Sequence, residues 1–398
     1  MTRIHFYSDC NYFGGSEKVL FLIMNEICKE PYVDVTFTFK ENQSYTKAVE
    51  NLLDKRIKTV NLIKPNFFKK KTKLKFHRMT NLIKKFAVRI IFFIEVYKFY
   101  HLFRHTKPDI LHINNGGYPG AFSARAAALG GKVAKVNKIL MVVNNLAADY
   151  KSISRKFDYL TDLMVFASVD LFITGSKVAG SKLSEIGVNA SKITQIPNCS
   201  VDNLPEINEQ YAFELNKFED RVAVGVFGQL IKRKGHKEFF NAISQIHSND
   251  FICVIVGSGE EDQFLSKYVR DLSIENKVIF ISDNVNYKAI MNYCDIIVQP
   301  SLEYEDFPLT VVEALSLGKP IIGNNVGGIS EQLDFGRVGL VVEPYCIPEL
   351  KIAIETLLQN EDKRDKLSSK AHQHYEEQYT RNTVIEKYFL IYDLPYTT

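Results

Sequence analysis

Short apolar runs that end in small or polar residues recur along the whole chain. In the first half these are IHFYSD, VDVTFTF, DILHINNGG, KILMVVNN and LFITGS. The second half carries VAVGVFG, FICVIVGSG, VIFIS, IIVQPS, PIIGNNVGG and GLVVEP. Between most of them lie longer stretches of helical periodicity, such as EKVLFLIMNEICKE and KEFFNAISQIHS. Strands alternating with helices predict a parallel sheet with helices on both faces. Two such series predict an α/β chain of two Rossmann-like domains. Their joint is expected near residues 195–210, QIPNCSVDNLPEINEQ, which is polar, holds two Pro and breaks the pattern. The expected domains are 1–200 and 201–375, with a C-terminal helix over 376–398 completing the first. Ligands of open α/β sheets bind beyond the carboxyl ends of the strands. The Gly, Asn and Ser clusters closing these runs are therefore expected to face one another across an interdomain cleft.

Length and composition agree with this division. A chain of 398 residues exceeds what one core usually serves, and 46% hydrophobic with 24% charged residues suits a soluble globular protein. Six scattered Cys, with no CxxC pair and no secretory signal ahead of Arg3, suit reduced thiols in the cytoplasm. The net charge of +4 conceals an asymmetry: residues 1–200 hold 31 Lys and Arg against 15 Asp and Glu, the remainder 19 against 31. From Lys64 to Lys107 thirteen Lys and Arg meet one acid, Glu95. The same segment holds FAVRIIFFIEVYKFYHLF, whose Arg89, Glu95 and Lys98 interrupt the apolar run and argue against a spanning helix. Two readings stand: an amphipathic helix on anionic lipid, or a packed helix after a solvated basic loop.

Three stretches carry candidate chemistry. In FYSDCNYFGGSEKVL a strand leads through Gly14 and Gly15 into a helix, an arrangement that lets backbone approach an anion and that also serves as a plain turn. VAVGVFGQLIKRKGHKEFF repeats it, with Lys234 at the loop-to-helix junction as a point charge for a phosphate or as a solvated surface lysine. SLEYEDFPLTVVEALSLGKP places Glu305 in a loop, Pro308 in a first helical turn and Glu313 on the following helix. Amides of Phe307, Leu309 and Thr310 at the helix start favour phosphate, and the two carboxylates accept from hydroxyls. A ligand with both kinds of group is a sugar nucleotide.

In these motifs the chain resembles glycosyltransferase family 4, retaining enzymes of the GT-B fold. Glu305-x7-Glu313 matches that family's E-x7-E motif within E-x-F-[GP]-x-x-x-x-E-A-x-x-x-G-x-P. Gly14-Gly15 with Glu17, FGQLIKRKG, VGSGEE, QIPNCS and Gly327-Gly328 with Glu331 add to the match. The resemblance implies that Glu305 meets donor-sugar hydroxyls and that the Phe307 to Thr310 backbone holds sugar and distal phosphate. It implies ribose binding by Glu313, neutralisation of the diphosphate by Lys234, and approach of Gly14-Gly15 to that diphosphate. Glu305 and Lys234 become the catalytic candidates; Gly228, Gln229 and Arg233 join the donor site. The family usually reads Gly-Arg where Gly228-Gln229 stands, so Arg233 or Lys232 is left to replace a cation. Asn144 stands where the family often carries His; an amide cannot act as a base, so its expected role is hydrogen bonding. His112, Asn115, Tyr118 and Arg125, at another strand end, are candidate acceptor contacts, although NNGG is also good turn chemistry.

The expectation is a retaining, metal-independent transferase with no cofactor and a nucleotide-sugar co-substrate, UDP-sugar before GDP-sugar by family frequency. A glycan acceptor, lipid-linked, and an anionic membrane surface met by Lys64–Lys107 would place it on the inner face of the cytoplasmic membrane, building lipopolysaccharide O-antigen or capsule. Two alternatives compete. A GT-B sugar-nucleotide epimerase would need acid and base side chains at the anomeric carbon, and E-x7-E counts against it. A nucleic-acid module would use the basic segment with Phe67, Phe68, Phe76 and Phe86 as stacking platforms, against which stands the acidic second half.

Overall fold

The computed structural model describes residues 1–10, 13–40, 42–62, 81–201, 220–282 and 287–396. The chain divides into two compact units, Met1–Ile196 with Ile385–Thr398, and Pro197–Val384. The basic run Lys69 to Lys75 and most of the polar joint after Ser200 lie outside the described residues.

In the first unit the strands are β1 (Thr2–Ser8), β2 (Val33–Phe39), β3 (Lys58–Thr59), β4 (Ile110–Asn115), β5 (Lys138–Val143), β6 (Leu171–Thr174) and β7 (Ile193–Gln195). They form one sheet in the order β3-β2-β1-β4-β5-β6-β7, every pair parallel. The second unit holds β8 (Val222–Phe227), β9 (Phe251–Val256), β10 (Val278–Ile281), β11 (Ile296–Gln299), β12 (Ile321–Asn324) and β13 (Leu340–Val342). Their order is β10-β9-β8-β11-β12-β13, again parallel throughout. Strands β4, β9, β11 and β12 are buried along their whole length, as expected where helices cover both faces of a sheet. Each sheet reverses its strand order once, between β1 and β4 and between β8 and β11, and such a switch point is where a doubly wound sheet leaves room for a ligand.

All eleven apolar runs became strands. The two strands that the pattern missed, β3 and β7, are short and lie at sheet edges. The return to the first unit comes at Ile385, within the helix Arg381–Ile391, and not at 376. The reason is packing: Leu367, Ala371 and Tyr379 sit in the cores of the second unit. Beyond that point Tyr392 is buried against the first sheet, its hydroxyl 2.6 Å from His112 Nδ1.

The run Phe86–Phe103 lies in one helix, Asn81–Thr106. Phe92, Val96, Phe99, Leu102 and Phe103 of this helix are buried in the first unit's core. This is a packed helix, and among the described residues no helix is long and apolar enough to cross a membrane.

Burial lowers the pKa of His5 and His112 to about 3, and burial with the nearby Lys234 charge lowers that of His236 to about 4. Folded values below the unfolded value of about 6.5 mean that these rings stabilise the fold as neutral groups. That stability is intact above about pH 6.5 and is lost as the pH falls through 6.5 toward the folded values. Unfolding at pH 5 should therefore take up about three more protons than unfolding at pH 8. Calorimetry in buffers of different ionisation enthalpy reads this uptake, and equal uptake at the two pH values would contradict the burial of the three rings.

Candidate functional site

In the second unit the switch point is built on the loop that follows β11. Glu305 is 7% exposed, and one oxygen, Oε1, accepts from Lys234 Nζ at 2.6 Å, Arg233 Nη1 at 2.8 Å and Ser301 Oγ at 3.0 Å. Burial would raise the pKa of this carboxyl, but the charges of Lys234 and Arg233 and the hydrogen bonds outweigh it, so the group is held below its ordinary value. The two cations come from the single turn Lys232–Lys234 after β8. Arg233 thus stands beside Lys234, while Lys232 and Gln229 are exposed.

Close backbone packing holds this loop in place. Gly235, at φ +75, lies where a Cβ would fall 1.9 Å from the Pro300 carbonyl oxygen. Gly327, at φ +55, would put a Cβ 1.5 Å from the Glu305 carbonyl oxygen. Asn324, ending β12, donates to the carbonyls of Pro300 and Ser301 at 2.9 and 3.1 Å. Side chains could not fit at either glycine without moving the loop.

The helix that follows runs Leu309–Ser316, one residue later than the sequence suggested, because Pro308 has an extended ψ of 127° and acts as its cap. Phe307 is buried, and its carbonyl accepts from Asn198 Nδ2 at 2.7 Å. The amides of Leu309 and Thr310 have no acceptor among the described residues, as the first turn of a helix leaves them. Glu313 is 1% exposed, and its Oε1 accepts from the Tyr287 hydroxyl at 2.6 Å. Gly228 closes β8 at φ +142.

The first unit's switch point also holds a carboxylate. Gly14 caps the helix Gly15–Ile27, and Glu17 in its first turn is buried. Glu17 Oε1 accepts from Ser8 Oγ at 3.2 Å and Asn114 Nδ2 at 3.0 Å, and Oε2 from Ser16 Oγ at 2.5 Å. Burial raises its pKa against these hydrogen bonds. Asn114 Oδ1 in turn accepts from Asn144 Nδ2 at 2.8 Å, and the same nitrogen reaches the Asn115 carbonyl at 3.1 Å. A carboxylate can only accept, so it orients the Asn114 amide, which orients Asn144. The side-chain nitrogen of Asn144 is thus taken up by Asn114 and the Asn115 carbonyl.

The other four acceptor candidates are engaged in the interior. His112 is 0% exposed against Tyr392. Asn115 accepts from the Ala121 amide at 2.9 Å and donates to the Pro119 carbonyl at 3.4 Å. Tyr118 and Arg125 both donate to the buried Asp162, each at 3.1 Å, alongside Tyr150 at 2.9 Å and Arg155 at 2.9 Å. Asn144 alone of the five stays partly exposed. Sequence reasoning overlooked Ser301, Tyr287 and Asn324, polar residues next to the motif or at a strand end, and Asp162, which no local signal marks.

With this geometry in view, comparison with known proteins is informative. Residues 207–374 match the model of glycosyl transferases group 1. That match lies within the second unit's part of the sequence and is to the group 1 glycosyltransferases. It is 25% identical to the alpha-D-kanosaminyltransferase of Streptomyces kanamyceticus over 42% of each chain. With the lipopolysaccharide core biosynthesis glycosyltransferase LpsE of Rhizobium meliloti it shares 22% identity over 72% of this chain and 76% of that one. The chain spans less than half of the kanosaminyltransferase and 36% of the N-acetyl-alpha-D-glucosaminyl L-malate synthase of Bacillus anthracis. The crystal structure of Anabaena HepE with UDP superposes with a TM-score of 0.78 at 17% identity, covering 98% of this chain and all of that one. Two parallel-sheet Rossmann-like units of this kind constitute the GT-B fold class.

The Gly327 contact gives a direct test. Gly327→Ala meets both a left-handed φ and the Glu305 carbonyl, so the loss of stability should exceed the roughly 1–2 kcal/mol of left-handed strain alone. Urea unfolding reads it, and a variant as stable as the parent would show that the loop does not depend on this approach.

Proposed function

We propose that the protein transfers a sugar from a nucleotide-sugar donor to a glycan acceptor carried on a lipid, in the building of a cell-surface polysaccharide. The observation that carries the reading is the convergence of Lys234 and Arg233 on buried Glu305, next to the unpaired amides of Leu309 and Thr310. Two cations against one carboxylate leave a positive site for a diphosphate, and the helix start adds to it. UDP is the preferred nucleotide: Anabaena HepE has been crystallised with UDP and with UDP-glucose. Relatives named for O-antigen and capsular polysaccharide biosynthesis support the product class. A Campylobacter jejuni relative named for a diphospho-undecaprenol substrate supports a lipid-linked acceptor.

In this reading Lys234 and Arg233 neutralise the departing diphosphate, Glu305 holds donor-sugar hydroxyls, and Glu313, fixed by Tyr287, accepts from the ribose. The bond from the anomeric carbon to the diphosphate breaks, and a bond to the acceptor oxygen forms on the same face. The acceptor proton passes to the leaving phosphate, so neither a protein base nor a metal is required. Asn144, whose side-chain nitrogen is already donated to Asn114 and the Asn115 carbonyl, uses its oxygen to take a hydrogen bond from a substrate hydroxyl. The basic segment Lys64–Lys107 draws the chain to the anionic inner face of the cytoplasmic membrane.

Titration with UDP separates the two carboxylates. Glu313→Ala should weaken UDP binding by about 1.5 to 3 kcal/mol, the range for hydrogen bonds to a charged group; unchanged affinity in a folded variant refutes the ribose role. Glu305→Ala should retain UDP binding and depress transfer from a sugar nucleotide. Equal losses for UDP and sugar nucleotide would give Glu305 another task.

The electrostatic part of membrane binding has its own test. Sedimentation with vesicles of equimolar phosphatidylcholine and phosphatidylglycerol should weaken as salt rises, because the attraction is screened beyond about 8 Å at physiological ionic strength. Neutralising Lys69, Lys70, Lys71, Lys73 and Lys75 to Gln should imitate the salt. A five-fold variant that sediments with these vesicles at low salt as fully as the parent would leave the segment a solvated basic face.

A further inference from the structure

The helix Ile153–Ser168 in the first unit exposes an apolar stripe and buries an ionic cluster. Its inward side carries Asp162, 0% exposed, and Arg155, held by Asp158 and Asp162 at 3.1 and 2.9 Å, beside the core residues Val165 and Phe166. Its other apolar residues point outward. Ile153, Phe157, Leu160, Leu163 and Met164 are between 40% and 68% exposed, and their spacing of three and four residues places them on one stripe. Lys156 is the charged residue within that stripe. The adjoining helix Asn81–Thr106 continues the surface: Arg89 lies over the Phe157 ring and donates to the Phe157 carbonyl at 3.2 Å, and Ile90, Ile91, Phe93 and Tyr97 are all more than 40% exposed.

Apolar side chains grouped in this way mark an interaction surface, and the charges around it select the occupant. The exposed cations on this surface are Arg89 and Lys156. A second copy docked by a two-fold axis would bring two sets of these cations together, and like charges oppose that contact. An anionic bilayer attracts the cations and takes up the apolar stripe.

We infer that Ile153, Phe157, Leu160 and Met164 insert into the headgroup and acyl boundary of an anionic membrane, so that a second helix shares in anchoring what the basic segment attracts. This rests on the membrane part of the proposed function and assigns its apolar half. The basic segment supplies attraction that salt removes; the stripe supplies binding that salt does not remove.

The chain has no Trp, so Leu160→Trp provides a single reporter on the stripe. With vesicles of equimolar phosphatidylcholine and phosphatidylglycerol its emission should move to shorter wavelength and be quenched by brominated acyl chains. The triple variant Phe157→Ser, Leu160→Ser, Met164→Ser alters exposed positions only, and its partition coefficient should fall on the order of a hundredfold. An emission that stays unchanged in vesicle-bound protein, or a triple variant that partitions like the parent, overturns the inference. So does light scattering that finds a dimeric parent and a monomeric triple variant, since the stripe then belongs to a second copy. UDP titration of the parent distinguishes the two readings: absent UDP binding would sink the donor assignment without altering the vesicle result.

Discussion

A buried carboxylate that must stay charged is the constraint around which the second unit's site is organised. Removing such a group from water costs several kcal/mol, and only close opposite charge and hydrogen bonding offset it. Glu305 has Lys234, Arg233 and Ser301 within 3.0 Å of one oxygen. Those partners can converge only if the turn after β8 approaches the loop after β11, and that approach is possible because Gly235 and Gly327 carry no Cβ against the loop's carbonyls. The cations, the glycines and the motif carboxylate are therefore held by one set of contacts.

The first unit sets a carboxylate at the corresponding place with different partners. Glu17 is reached by hydroxyls and an amide, Glu305 by two cations and a hydroxyl. The consequence is opposite displacement of two buried acids, Glu17 upward by burial and Glu305 downward against burial. An acid fixed by neutral donors is suited to orienting side chains, and the ordered amides of Asn114 and Asn144 are the outcome. Paired cations are suited to receiving a further anion, because a phosphate entering beside Glu305 meets more positive than negative charge.

Most of the fold was legible because parallel strands buried on both faces leave uninterrupted apolar runs, and all eleven runs appear as strands. Edge strands of two or three residues leave no such run, so β3 and β7 were missed. The pair Glu305 and Glu313 was legible by spacing, whereas a cation beside it was legible only as a choice between Arg233 and Lys232; the fold turns Arg233 to Glu305 and leaves Lys232 exposed. Four of the five acceptor candidates lie buried, and sequence hid this for a different reason. Polar residues at strand ends look alike in sequence whether they face a ligand or a buried partner, and His112, Tyr118 and Arg125 have partners that lie far along the chain: Tyr392 for the first, Asp162 for the other two.

Asp162 connects the remaining departures. Arg125, Arg155, Tyr118 and Tyr150 all donate to its two oxygens, and a carboxylate with that many donors is more stable inside than any position on the helix surface would make it. Its burial draws the polar side of the helix Ile153–Ser168 toward the unit's interior, and with that rotation the opposite stripe of Ile153, Phe157, Leu160 and Met164 has to face outward. The hydrophobic pattern of this helix, taken alone, favours the reverse orientation. The same charge network thus engages Tyr118 and Arg125 in the interior, while the opposite side of the helix carries an exposed apolar stripe.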